Sequence, residues 1–316
     1  MISVFQYLLC AILGVAGLYY GAEFLVKGGV SIARRAGVSP LIIGLTLVAF
    51  ATSAPELVVS VSAALDGRSD ISLGNVVGSN ICNIALILGI CAWITPMKVQ
   101  RQILRLDAWV MLGSAVLLAV FYLCSNGINR IQALVFLLGM IGYVVWSVAS
   151  SRKENIAEEP QKEEKLLPVW KSVLLIVLAL ALLVGGAKAF LASAVFFAVK
   201  LGLSEAVIGL TIVAVGTSLP ELATSVVAAV RGEDDIAIGN VVGSNIFNIL
   251  GILGVTPLIA PLKNAALDPV DMGAMVLFSL LLVPMMRTGW KISRKEGIVL
   301  LGGYAAYAAY LLCTHT

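Results

Sequence analysis

The segments GLTLVAFATSAPEL (residues 44–57) and GNVVGSNICNI (residues 74–84) return 165 positions later as GLTIVAVGTSLPEL (residues 209–222) and GNVVGSNIFNI (residues 239–249). Aligned without a gap, residues 39–90 and 204–255 are identical at 32 of 52 positions, so the chain carries an internal duplication. Both copies lie in a chain too apolar to be water-soluble. Of its 316 residues 60% are hydrophobic and 12% charged, with a mean hydropathy of +1.01; soluble domains carry about 25% charged residues.

Apolar stretches run approximately over residues 4–26, 39–64, 71–94, 106–125, 131–150, 169–198, 205–230, 236–259, 270–287 and 296–313. A bilayer crossing takes about 20 apolar residues, and continuous rather than alternating apolar runs exclude a barrel. The expected fold is therefore an all-α integral membrane protein of about ten transmembrane helices. Each copy of the duplication falls in a group of five spans. Five is odd, so the second copy enters the membrane in the opposite sense, as two inverted five-helix repeats.

The basic residues give the orientation. With the N-terminus outside, the cytoplasmic connections hold 15 of the 21 lysines and arginines, among them Arg34, Arg35, Arg231, Arg287 and Lys291. The opposite connections hold only Arg68, Arg130, Lys200 and Lys263. The net charge of +3 is spread between spans rather than gathered on one face, which argues against a nucleic-acid partner. Residues 1–150 form the first repeat, the mixed-charge stretch 151–168 a flexible cytoplasmic linker, and residues 169–316 the second repeat. The N-terminus has no basic n-region and reads as a first span. Cys10, Cys82, Cys91, Cys124 and Cys313 have no ligand-like spacing and read as buried small hydrophobes.

Two residues carry the chemistry. Glu56 and Glu221 are repeat partners near the middle of the second and seventh spans, with no mid-span cation to neutralise them. An ionised side chain at a helix centre costs about 2.5–3.5 kcal/mol on insertion scales. Something else must supply positive charge. Pro55 and Pro220 each remove an amide hydrogen bond and should kink or break the helix beside the carboxylate. Thr52, Ser53, Thr217 and Ser218 lie within a turn and add hydroxyl oxygens. In the third and eighth spans Ser79 and Asn83 share one helix face, as do Ser244 and Asn248. Asn80 and Asn245 lie on another face, where they serve either as further ligands or as braces between helices. The sole histidine, His315, is at the chain end. Hard oxygen donors without histidine or thiolate favour calcium, magnesium or sodium. Glu23 and Lys27, four apart, read as a helix-surface ion pair near the end of the first span.

The paired segments ATSAPEL and GTSLPEL, each followed by GNVVGSNI, resemble the α-repeats of the calcium/cation antiporter superfamily, and the chain resembles its prokaryotic sodium/calcium exchanger branch. That resemblance implies that Glu56 and Glu221 are the central calcium ligands and that Thr52 and Thr217 line the calcium and sodium sites. Ser53, Ser218, Ser79 and Ser244, with the backbone carbonyls of Ala49 and Ala214, would complete the sodium sites. Asn83 and Asn248 would sit at the centre. Some relatives carry an acid at one of these two positions, whereas this chain has asparagine at both.

The implied function is secondary-active exchange of calcium for sodium by alternating access. The partners are the transported Ca2+ and Na+ and the bilayer, with no cofactor and no protein partner inferable. The expected location is the prokaryotic inner (plasma) membrane. The alternatives are a calcium/proton or other cation/proton antiporter and a passive cation channel, which would need no inverted halves. An intramembrane hydrolase lacks its nucleophile, base and metal motifs, so the chain is not expected to be an enzyme.

Overall fold

The computed structural model describes residues 2–125, 127–154, 167–201, 214–263 and 267–315. Residues 155–166 of the predicted linker and residues 202–213, the first half of the predicted seventh span, lie outside the described residues.

The chain folds as helices α1 (Ile2–Ala36), α2 (Pro40–Thr52), α3 (Ala54–Leu65), α4 (Ser69–Ile94), α5 (Ile103–Ser125) and α6 (Arg130–Glu154). The second half supplies α7 (Val169–Lys200), the short α8 (Ala214–Gly216), α9 (Leu219–Val230), α10 (Asp234–Ile259), α11 (Pro269–Arg287) and α12 (Arg294–His315). Among the described residues, eight helices are long and apolar enough to cross a bilayer. The pair α2 and α3, bent by 45° at Ser53, makes a ninth span. The repeat partner of that bent pair is α8 with α9, and it completes the ten spans of two inverted five-helix repeats.

Among the described residues the predicted boundaries hold to within a few residues except in α1, which continues past residue 26 to Ala36. Its last turn carries Arg34 and Arg35, cations that suit a helix C-terminus. The helix then stops at Gly37, where φ is +62° and a side chain would be strained.

Burial sorts the helices into layers. α10 is the most enclosed span, and α4, its repeat partner, is the next. Around them stand α5, α6, α7 and α12, with exposed Leu123, Leu138, Val177 and Val299 making the surface expected to face lipid. α1 and α7 lie together on one flank in antiparallel contact. A Cβ on Gly186 would stand 2.8 Å from the Gly14 carbonyl oxygen, so only glycine lets the two backbones meet there.

One end of the bundle is tied by a two-stranded ribbon, β1 (Met97–Lys98) against β2 (Lys291–Ile292), which joins the two halves. Asp234 and Asp235, in the first turn of α10, accept from the Lys98 amide at 2.9 Å and the Gln100 side chain at 2.6 Å. The opposite end is tied by paired backbone bonds between Ile128 and Leu262.

Two expectations need correction. Glu23 does not pair with Lys27; its Oε1 meets Arg231 Nη2 at 2.6 Å, because α1 lies beside α9. Of the cysteines, Cys82 and Cys91 are buried, but Cys124 and Cys313 are exposed, on helices of the outer layer.

Candidate cation site

Each proline breaks its span one residue before the glutamate's own turn begins. Ser53 (φ −82°, ψ 6°) and Ser218 (φ −86°, ψ 8°) take the same non-helical conformation, and each is followed by a helix with its proline in the first turn. A helix that restarts there points its free amides, and so its positive end, toward Glu56 and Glu221. Both glutamates are fully buried.

The two halves exchange ligands. Ser53 of the first repeat donates to Glu221 Oε1 at 2.9 Å, and Ser218 of the second donates to Glu56 Oε1 at 3.2 Å. The breaks are thus brought against each other across the repeat boundary, with each carboxylate bonded to the serine at the other half's break. Thr52 donates to Asn240 Oδ1 at 3.1 Å and also approaches the Ala49 carbonyl at 3.3 Å. The Ala49 carbonyl accepts from the Ser53 amide as well. Ala214 opens the short α8 directly before the second break.

Each glutamate backbone is held from the GNVVGSN helix of its own repeat. Asn75 donates to the Glu56 carbonyl at 3.2 Å and to Ser60 Oγ at 2.9 Å. Asn240 does the same to the Glu221 carbonyl at 3.4 Å and to Ser225 Oγ at 2.9 Å. Sequence reasoning missed these four residues, although Asn75 and Asn240 are the second residues of two identical motifs and Ser60 and Ser225 are equally repeat partners. Asn80 bonds Val76 of its own helix, while Asn245 reaches the sulfur of Met111 on α5, so only the second is a brace.

Eight of the buried polar atoms without a partner fall in repeat pairs. Glu56 Oε2 and Glu221 Oε2, Ser79 Oγ and Ser244 Oγ, and both side-chain atoms of Asn83 and of Asn248 are buried without a hydrogen-bond partner; so is Thr217 Oγ1. A buried polar group left unpaired costs about 1–3 kcal/mol, more when charged, and native structures keep few of them. Asn83 and Asn248 lie at the start of π-helical stretches, Cys82–Leu88 and Phe247–Ile252. Such wide turns frequently mark functional positions. No cluster of three or more His, Cys, Asp or Glu occurs among the described residues, and the side chains that bond the two carboxylates, Ser53 and Ser218, offer neutral oxygens. A donor set of this kind suits alkali and alkaline-earth cations.

A second matched pair lies away from this centre. Tyr143 donates to Asp107 at 3.0 Å between α6 and α5, and Tyr307 donates to Asp271 at 2.8 Å between α12 and α11. The apolar run over residues 106–125 puts Asp107 at the start of its span. The structure buries it.

An inverted-repeat membrane protein with paired, buried oxygen donors at the junction of its halves is thereby defined. The chain belongs to the sodium/calcium exchanger family: the model "Sodium/calcium exchanger protein" matches residues 6–149 and 171–313. It is 40% identical to the putative antiporter CaxA of Alkalimonas amylolytica, over 95% of this chain and 97% of that protein. It is 38% identical to the sodium/calcium exchanger MaX1 of Methanosarcina acetivorans, over 96% and 97%. The solved sodium-calcium exchanger NCX_Mj superposes with a TM-score of 0.84 at 36% identity, covering 98% of this chain and 99% of that one.

Proposed function

We propose that this protein exchanges calcium for sodium across the membrane by alternating access around Glu56 and Glu221. The observation that carries the reading is the pair of buried carboxylates that trade serine bonds between halves, each keeping one oxygen without a partner. Glu56 and Glu221 take calcium centrally. Thr52, Thr217, Ser53, Ser218, Ser79, Ser244 and the carbonyls of Ala49 and Ala214 hold sodium. Asn83 and Asn248 fill the middle without adding charge. The names of MaX1 and NCX_Mj support the choice of ions.

The charge explains obligatory exchange. Two ionised carboxylates in a low-dielectric interior cannot be carried through a conformational switch uncompensated. One calcium ion or two sodium ions neutralise them. Loaded forms therefore switch and the empty form does not. Access alternates as α1 and α7 slide along the rest of the bundle, and the backbone contact at Gly14 and Gly186 favours their moving as one piece.

The halves comprise residues 1–150 and 169–316, joined by a cytoplasmic linker at 151–168. The two separately matched segments of the family model fit that division. The basic-residue bias puts the ribbon end in the cytoplasm and the N-terminus outside, in the inner membrane of a prokaryote.

The test is calcium uptake into proteoliposomes preloaded with sodium, with outside sodium and a pH gradient varied in turn. Uptake that requires internal sodium supports the reading. Uptake that follows only the pH gradient would replace sodium by protons, and uptake indifferent to both would end the antiport reading.

A further inference from the structure

The repeat alignment continues without a gap into the two flanking helices. Gly21, Ala22 and Glu23 of α1 match Gly186, Ala187 and Lys188 of α7, and Asp66, just past α3, matches Arg231, just past α9. Glu23 and Lys188 thus occupy one position of the repeat, and Asp66 and Arg231 another. Both charges are reversed between copies, so each copy supplies one half of two opposite-charge pairs.

Only one pair is closed. Glu23 meets Arg231 at 2.6 Å at the ribbon end. Lys188 and Asp66 are both exposed and form no ion pair among the described residues. The helices differ in the same way: α1 lies along α9, whereas α7 makes no comparable contact with α3.

We propose that Glu23–Arg231 and Lys188–Asp66 are alternate latches of the transport cycle, one closing the ribbon end of the site and the other the opposite end. The proposal rests on the antiport reading above. In an inverted repeat, the outward-facing and inward-facing states are related by exchanging the roles of the copies. A contact made on one side only therefore has its mirror image on the other side in the other state. The mirror of Glu23–Arg231 is Lys188–Asp66, and it is complementary because both of its charges are reversed together. An ammonium on a membrane-spanning helix is costly without a partner, so the sliding that brings Lys188 to Asp66 also relieves it. Each latch stabilises the state in which it is closed, and the balance between them sets the resting population.

Calcium saturation is measured from each face in vesicles of known orientation. Glu23→Gln, which opens the closed latch, is expected to improve apparent affinity at the cytoplasmic face by about 2- to 5-fold and to weaken it at the outer face. Lys188→Gln is expected to do the reverse, and Glu23→Lys with Arg231→Glu to restore the starting balance. Shifts of the same sign at both faces would overturn the proposal.

A second measurement does not depend on transport. Cys10, Cys124 and Cys313 are replaced by serine, and cysteines are placed at 23 and 231, at 66 and 188, or at all four positions. A short bifunctional thiol reagent is then applied to the purified protein with calcium, with sodium or with neither. Each pair is expected to link, but never both in one chain. Failure of the 66–188 link under all conditions, or both links in one chain, would overturn the latches even if exchange is confirmed. Mutually exclusive links would sustain them even if the transported ions prove different.

Discussion

Glu56 and Glu221 meet the same surroundings in reversed order: a serine from the other half on one oxygen, an asparagine from the same half on the backbone, and a second oxygen without a partner. Glu23 and Lys188, no less exact as repeat partners, differ in charge and in contact, one paired and one exposed. The two regions answer different demands. On the proposed exchange, a site that binds the same ions from both faces gains from symmetric ligands. The helices that decide which face is open must differ between copies in any one state, because identical contacts on both sides would leave the site shut or open at both ends.

The symmetric centre can be broken most severely at its carboxylates. Glu56→Gln and Glu221→Gln should each cost about 2–5 kcal/mol of calcium binding, at least ~30-fold in apparent affinity, since truncating one member of a buried charge pair carries such penalties. The two losses should be similar. Unequal losses in calcium-binding assays would show that one repeat dominates the site.

A smaller effect is expected where α1 meets α7. Gly186→Ala forces a methyl group against the Gly14 carbonyl, whereas Gly185 has nothing within 4 Å of the same added atom. Overpacking costs about 1–3 kcal/mol. Gly186→Ala should lower both the thermal midpoint and the exchange rate, while Gly185→Ala leaves both near wild type.

The peripheral pairs sharpen the comparison further. Tyr143→Phe leaves Asp107, whose Oδ2 already lacks a partner, buried without its tyrosine, at a cost of about 1–3 kcal/mol. Tyr307→Phe acts on a partly buried bond to Asp271 and should cost only ~0.5–1.5 kcal/mol. Denaturation in detergent distinguishes the two.

Most of this architecture is legible in the sequence because the bilayer imposes long apolar runs and the duplication marks its own centre. Pro55 and Pro220 announced the breaks, and the matched glutamates stand beside them, each bonded to a serine of the other half. Contacts between halves were not legible. Nothing near Ser53 in the chain points to Glu221, because that bond exists only once one repeat is turned over against the other. Glu23 illustrates the same limit: spacing along a helix pointed to Lys27, while packing delivered Arg231. Asp107 looked like a span-end acid because its apolar run begins just before it, and only the approach of α6 buries it. Asn75 and Asn240 could have been found, since each is the second residue of a motif whose later residues had already been singled out.

The central claim is that two carboxylates, one from each repeat, make a single divalent-cation site from which sodium expels calcium. Equilibrium binding of radioactive calcium to the purified protein tests it most directly, with wild type, Glu56→Gln and Glu221→Gln compared while sodium is raised. The expected result is one calcium per chain, displaced by sodium and lost in both variants. Unchanged calcium binding in either variant, or binding that sodium does not displace, would contradict it.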